Sequence, residues 1–197
     1  MASISEEDLR VIRSLREAGV LDDVEPHLLN QQNGVVVVVC ADGDQSYDIF
    51  TNHARMQDAH RSDPRIHYIT RNGGALRLAP YSPANKHGRT TQLDLLDEIA
   101  ETLPMKGIET VALYIHAPCG KAATSAISFA LSIELLFEAK RILKANVPGV
   151  RVSCFSHVDY GPNFIELGKT KQRLTYFASR TKWEEYKRST RSPMTTT

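Results

Sequence analysis

Two kinds of hydrophobic spacing alternate along this chain. Near the start, Leu9, Ile12 and Leu15 recur at helical intervals behind Ser5 and Asp8, which occupy N-cap and third-residue positions, and the spacing predicts an amphipathic helix that stops at Gly19. After a polar stretch holding Pro26, Asn33 and Gly34, Val35-Val36-Val37-Val38-Val39 is β-branched throughout and lacks polar alternation. That is the pattern of a strand covered on both faces, in the middle of a parallel sheet. A helix is expected over 47–60, a break at Asp63-Pro64, and a second strand over 66–70 that runs into Arg71-Asn72-Gly73-Gly74. The paired glycines there point to a turn or a close backbone approach that a side chain would obstruct. Residues 80–88 read as loop and 93–103 as helix, with Pro104 and Gly107 marking its exit. A third strand over 111–115 precedes one long helix over 122–145, whose Ile127, Leu131, Leu135 and Ile142 are apolar around much of its girth. A fourth strand over 150–155 follows Pro148-Gly149. From Gly161 onward the chain is more polar and is expected to be partly helical.

Strands that alternate with helices predict an α/β fold with a central, mostly parallel sheet flanked by helices. No internal repeat is present. With 197 residues and 42% hydrophobic content, the chain is long enough for one well-buried core and short for two. It reads as a single domain over 1–197, with a helical N-terminal arm over 1–30, an α/β core over 31–160 and a C-terminal extension over 161–197.

Charge narrows the choice of partners. A net charge of +1, from 24 basic and 23 acidic residues, gives no field that implies nucleic acid or an anionic membrane. The basic residues of the C-terminal extension are diluted by Glu166, Glu184 and Glu185, and they read as a solvated helical tail. The first residues lack the basic start and apolar stretch of a secretory signal, and no apolar run approaches the roughly 20 residues that span a bilayer. A cytoplasmic protein is expected. Three cysteines do not make the dense, even set of a secreted disulfide scaffold.

The cysteines matter for another reason. Cys40 ends the valine run, and His116 and Cys119 leave the third strand in His116-Ala117-Pro118-Cys119-Gly120. Each residue singly fits a buried core position as well as a ligand position. Together they place two thiols and an imidazole at the carboxyl ends of two strands of one sheet, where sites gather in open parallel sheets. Zinc takes such ligands in tetrahedral geometry, and catalytic zinc keeps three of them with the fourth position open. A Cys119 nucleophile activated by His116 is the competing reading; the third ligand at Cys40 makes a metal more economical. Cys154 reads as core. His157 reads as a strand-end histidine bonded to Asp159 or to backbone, and His87 as a solvated loop residue or a proton shuttle.

Cys40-Ala41-Asp42 resembles the first half of the Cys-x-Asp-x-Arg motif of the β-class carbonic anhydrases, and His116-Ala117-Pro118-Cys119-Gly120 resembles their His-x-x-Cys-Gly. Between them, Arg71-Asn72-Gly73-Gly74 is similar to that family's Arg-Asn-Ala-Gly segment, and the resemblance runs over about 35–160. It implies a Zn²⁺ ion held by Cys40, His116 and Cys119, with Asp42 as a catalytic residue. It also implies hydration of carbon dioxide to bicarbonate by zinc-bound hydroxide, the metal lowering the pKa of water from about 15.7 to about 7. A homodimer or a higher homo-oligomer is implied too, in which N-terminal helices pack on the partner; packing of the first helix on its own domain accounts for its apolar face equally well.

One position departs from the family pattern. Asp44 stands where the family has arginine, the residue that pairs with the motif aspartate and turns it from the metal. Without that partner Asp42 is free to become the fourth ligand and close the site, and Asp44 adds negative charge that raises the pKa of bound water if it faces inward. Lys121, Arg71 and Lys86 are the cations available to replace it. Two alternatives therefore accompany the carbonic anhydrase reading. One is a zinc-binding homologue without that activity, kept for structural or partner-binding reasons. The other is a hydrolase of a related heterocumulene such as carbon disulfide or carbonyl sulfide.

Overall fold

The computed structural model describes residues 3–29, 31–57, 63–85 and 90–191. Six strands form one sheet: β1 (Leu21–Asp23), β2 (Val35–Cys40), β3 (Ile66–Arg71), β4 (Thr110–Ala117), β5 (Arg151–Asp159) and β6 (Arg173–Ala178), in the order β1-β6-β5-β4-β2-β3. The four strands from β3 to β5 are parallel, whereas β6 and β1 run antiparallel along the far edge. The α/β class and mostly parallel sheet are those the sequence predicts.

Why the valines form a strand is visible in what covers them. All six residues of β2 are buried. Val36, Val38 and Cys40 face one core, beneath α1 (Glu6–Glu17), α3 (Thr90–Lys106) and α5 (Phe129–Asn146). Val35, Val37 and Val39 face a second core with Tyr114, Phe155 and the Ile49 and Met56 side chains of α2 (Ser46–Gln57). Side chains alternate across a strand, so an unbroken apolar run requires a layer on each side of the sheet.

The Ser5 hydroxyl caps α1 by accepting from the Asp8 N–H at 3.0 Å, and Glu6, Glu7 and Asp8 sit at the helix's positive end. Its Leu9, Ile12 and Leu15 are buried in the chain's own core, so this arm finds its cover without a partner subunit. Among the described residues no helix is long and apolar enough to cross a membrane.

Three expectations need correction. The long helix over 122–145 is two helices, α4 (Gly120–Thr124) and α5. Between them Ala126 adopts φ +53° and Ser128 accepts from the Leu131 N–H at 3.2 Å, so a side-chain cap starts a new helix inside an apolar stretch. The helix placed over 93–103 begins at Thr90 and continues through Pro104 to Lys106, the proline lying in its last turn. The extension beyond Gly161 supplies β6 as well as a helix, α6 (Arg180–Arg191). Tyr176 and Ala178 of β6 are buried in the core, and Trp183 of α6 lies 6.5 Å from Phe137, ring centre to ring centre.

Strand order positions the site. From β2 the chain moves outward to β3, then crosses back to place β4 on the other side of β2. Connections leaving β2 and β4 therefore diverge at the carboxyl ends of these two strands, the place where ligand sites gather in open parallel sheets.

Candidate metal centre

Cys40 is the last residue of β2. The chain then turns sharply: the Asp42 carboxylate accepts from the Asp44 N–H at 2.9 Å, and the Asp42 carbonyl accepts from the Ser46 N–H at 2.9 Å, which launches α2. On the neighbouring strand His116 stands one residue before the end of β4. A cis Ala117–Pro118 bond follows, and Cys119 takes the N-cap position of α4, its carbonyl accepting from the Ala123 N–H at 3.0 Å. Two strand ends thereby bring Cys40, His116 and Cys119 together, with their ligand atoms all within 4.8 Å of one another.

The spacing fits a tetrahedral ion. Zinc–sulfur bonds of about 2.3 Å separate two ligating sulfurs by about 3.8 Å, and the sulfurs of Cys40 and Cys119 lie 4.0 Å apart. The His116 side chain is 1% exposed, yet neither of its ring nitrogens makes a hydrogen bond among the described residues. Buried polar atoms normally find partners because an unpaired one forfeits its hydration. A cation held between the imidazole and the two sulfurs answers that deficit.

The thiols are strongly unequal. Contact with Cys40 and the adjacent imidazole of His116 hold Cys119 well below the ordinary thiol range, while the same sulfur contact and burial push Cys40 well above it. In effect one negative charge is shared between two sulfurs. The Gly73 N–H donates to the Cys40 sulfur at 3.1 Å and adds local support for charge there. Its neighbour Gly74, at φ +48°, runs so close to β2 that a Cβ would sit 2.4 Å from the Cys40 nitrogen. The paired glycines thus mark a close approach, as the sequence predicts.

Other candidates fall into place around this trio. Asp42 turns Oδ2 toward the His116 Nε2, at 4.0 Å. Asp44 acts through its backbone, donating to Asp42 and accepting from the Arg173 Nη1 at 2.8 Å; Arg173 also donates to Asp159 at 2.8 Å. Arg71 pairs with Glu98 at 2.5 Å, and the Lys121 Cγ stands 3.0 Å from where a Cβ on Gly73 would be. Lys86 and His87 lie outside the described residues. His157 is not bonded to Asp159 as expected: its Nδ1 is 2.9 Å from the Thr175 hydroxyl and its Nε2 is 3.3 Å from the Asp48 carboxylate, which its proximity holds below the usual carboxylate range. Cys154 is fully buried, and burial pushes its thiol up to about 12, in keeping with a core role.

Two contributors escaped the sequence reading. Arg173 belongs to the basic stretch of the C-terminal extension, yet its guanidinium clamps the loop after Cys40 by donating to the Asp44 carbonyl. Gln45 carries no motif signal, yet its side-chain amide donates to the Pro118 carbonyl at 3.1 Å and so ties one ligand loop to the other. Its Oε1 is buried without a hydrogen-bond partner. The sequence matches no protein-family model and no curated protein, so the metal centre stands on its residues and their geometry.

Proposed function

We propose that this chain is a zinc-dependent enzyme of the β-class carbonic anhydrase type, which hydrates carbon dioxide to bicarbonate. The observation that carries the reading is the convergence of Cys40, His116 and Cys119 at the carboxyl ends of β2 and β4, with the imidazole nitrogens unpartnered among the described residues. Two thiolates and a neutral imidazole balance a divalent charge and leave a fourth tetrahedral position outside the protein. When bound, zinc supplies Lewis acidity and lowers the pKa of water toward neutrality.

The chain's own residues orient the reaction. In the family this chain resembles, an arginine fixes the motif aspartate; here the N–H of Asp44, a residue whose carbonyl accepts from Arg173, donates to the Asp42 carboxylate. Held beside His116, the free Oδ2 of Asp42 is an acceptor for a hydrogen of the attacking water, which selects the lone pair that meets the carbon. The water oxygen bonds to carbon, one carbon–oxygen π bond shifts onto oxygen, and the water's proton passes to solvent. Carbonyl sulfide and carbon disulfide present the same linear electrophile. The homodimer implied by the resemblance belongs to the proposal as well, supported by the outer edge of β3, which no strand pairs among the described residues, and by the exposed Tyr47, Phe50 and Tyr81.

The position of Asp42 also favours a second reading. Its Oδ2 stands 4.0 Å from the His116 Nε2, close to the roughly 3.3 Å edge of a tetrahedral N,O ligand pair, so a small rotation makes it the fourth ligand of a closed site. Stopped-flow carbon dioxide hydration, scanned from neutral to alkaline pH on protein of measured zinc content, separates the two. Activity that rises with pH at about one zinc per chain supports the enzyme. Zinc at that ratio without turnover of carbon dioxide, carbonyl sulfide or carbon disulfide rejects it in favour of the closed site.

A further inference from the structure

Between α1 and the segment that follows β5 lies a cavity of about 270 Å³, lined by none of the three metal ligands. Its apolar wall is made by Leu9, Ile12 and Leu167, and its polar rim by Arg13, Arg16, Lys169 and Tyr160, with Glu17 beside them. That combination of an apolar body and a few convergent polar groups is typical of small-molecule pockets, and the volume is near their lower bound of about 300 Å³.

Two observations define what would fit. The first is charge. The Arg16 guanidinium lies 4.6 Å from the Tyr176 ring centre, and the Lys169 ammonium lies 5.4 Å from that of Tyr160 and 5.9 Å from that of Tyr176, so two cations converge on one tyrosine pair. Arg16 is matched by Asp23 at 3.1 Å and Asp22 at 3.8 Å. Arg13 and Lys169 have no ion-pair partner among the described residues, and Glu17 offsets one of them.

The second is a missing acceptor. The hydroxyls of Tyr160 and Tyr176 are 2.7 Å apart, and both side chains are buried. One hydroxyl donates to the other; the accepting hydroxyl keeps a proton for which the described residues provide no acceptor. A buried O–H without an acceptor is costly, and the cavity lies on the Tyr160 side of this pair.

We propose that the cavity binds a small monocarboxylate with an apolar body. Its carboxylate accepts from the spare tyrosine proton and from Lys169 and Arg13, and its body lies over Leu9, Ile12 and Leu167. The unpaired cations at the rim, Arg13 and Lys169, select an anionic head, and the apolar wall selects against a bare inorganic ion.

Titration of the ¹⁵N-labelled full chain by NMR tests this, with phenylacetate as probe and 2-phenylethanol as its neutral counterpart. Saturable shifts in the amides of α1 and of residues 160–169 are expected, with a millimolar dissociation constant or tighter for phenylacetate and about tenfold weaker binding of the alcohol. Lys169→Gln and Tyr160→Phe are each expected to weaken phenylacetate several-fold while leaving the alcohol unchanged. Equal affinity for acid and alcohol in the wild-type chain, or no saturable shift in those amides, overturns the proposal. The wild-type comparison holds even if Tyr160→Phe disturbs the fold, and Lys169 sits on the rim, where substitution leaves the core intact.

Discussion

Two buried histidines on one side of the sheet have opposite fates. His53, on α2, is fully enclosed, but its Nδ1 lies 2.7 Å from the Tyr114 hydroxyl and its Nε2 3.0 Å from the Gln31 Oε1. Both nitrogens are used: the ring accepts the tyrosine proton and donates to the amide oxygen, as a neutral imidazole. His116 lies two residues beyond Tyr114 on β4, hence on the same face, and is almost as deeply buried, yet among the described residues both its nitrogens lack hydrogen bonds. Burial alone therefore says nothing about a site. An enclosed imidazole with neither nitrogen bonded among the described residues, and with two thiols within 4.8 Å, says more, because a bound cation would repay the cost.

The sharpest way to break this contrast is through the sulfurs that accompany His116. Cys119→Ala is expected to abolish stoichiometric zinc binding, measured by elemental analysis after gel filtration, and with it any hydration activity. Cys154→Ala, in the closed core, is expected to leave the zinc content unchanged and to cost about 1 to 2 kcal/mol of stability. Equal zinc retention in the two variants would remove the distinction between a ligand cysteine and a core cysteine.

A second test separates the histidines by pH. Burial pushes His53 from its ordinary 6.5 down to about 3. Below 6.5 the unfolded chain takes up a proton that the folded chain refuses, so His53 lowers stability as the solution is acidified, by about 1.4 kcal/mol per pH unit until about pH 3. His53→Phe leaves Tyr114 and Gln31 unpaired and is expected to cost about 2 to 4 kcal/mol at neutral pH, with zinc content unaffected. Since the variant lacks the titrating ring, the gap between it and the wild type narrows as pH falls. Urea unfolding at several pH values measures that gap; a gap constant with pH would mean that His53 is not held neutral.

The smallest effect is expected at Gln45. Removing its amide in Gln45→Ala deletes the bond to Pro118 and is expected to cost about 1 kcal/mol and to weaken zinc about tenfold, as measured by competition with a chromogenic chelator. Unchanged zinc affinity would assign Gln45 to the fold alone.

How much of this was legible in the sequence depended on whether the signal was local. The valine run announces its own environment, because nothing but a two-sided core accommodates five consecutive β-branched residues, and the ligand types at Cys40, His116 and Cys119 are legible because each ends or follows such a run. β6 was lost because Arg173 and the charged residues before it dominate the local average, while the alternation of Leu174, Tyr176 and Ala178 is short. The break between α4 and α5 was lost because Ile127 and Phe129 continue the apolar pattern across a cap that only Ser128 betrays. Gln45, Arg173 and the N–H of Gly73 contribute through bonds to distant backbone or sulfur, which no spacing in the chain records. His157 was misread for the same reason: Asp159 is near in sequence, but Asp48 and Thr175 are the groups that the fold brings to its ring.

Cys40 and Cys119 are 79 positions apart, and this separation bears on more than coordination. An ion gripping both sulfurs ties the chain into a ring, much as a disulfide would. By the polymer estimate such a closure removes unfolded-state entropy worth about 4.5 kcal/mol. The folded pairing of β4 beside β2 is what holds the three ligands in place, so an ion bound there would stabilise the docked sheet. An ion held there would act as a latch, and its slow release would govern how long a loaded molecule survives between unfolding events.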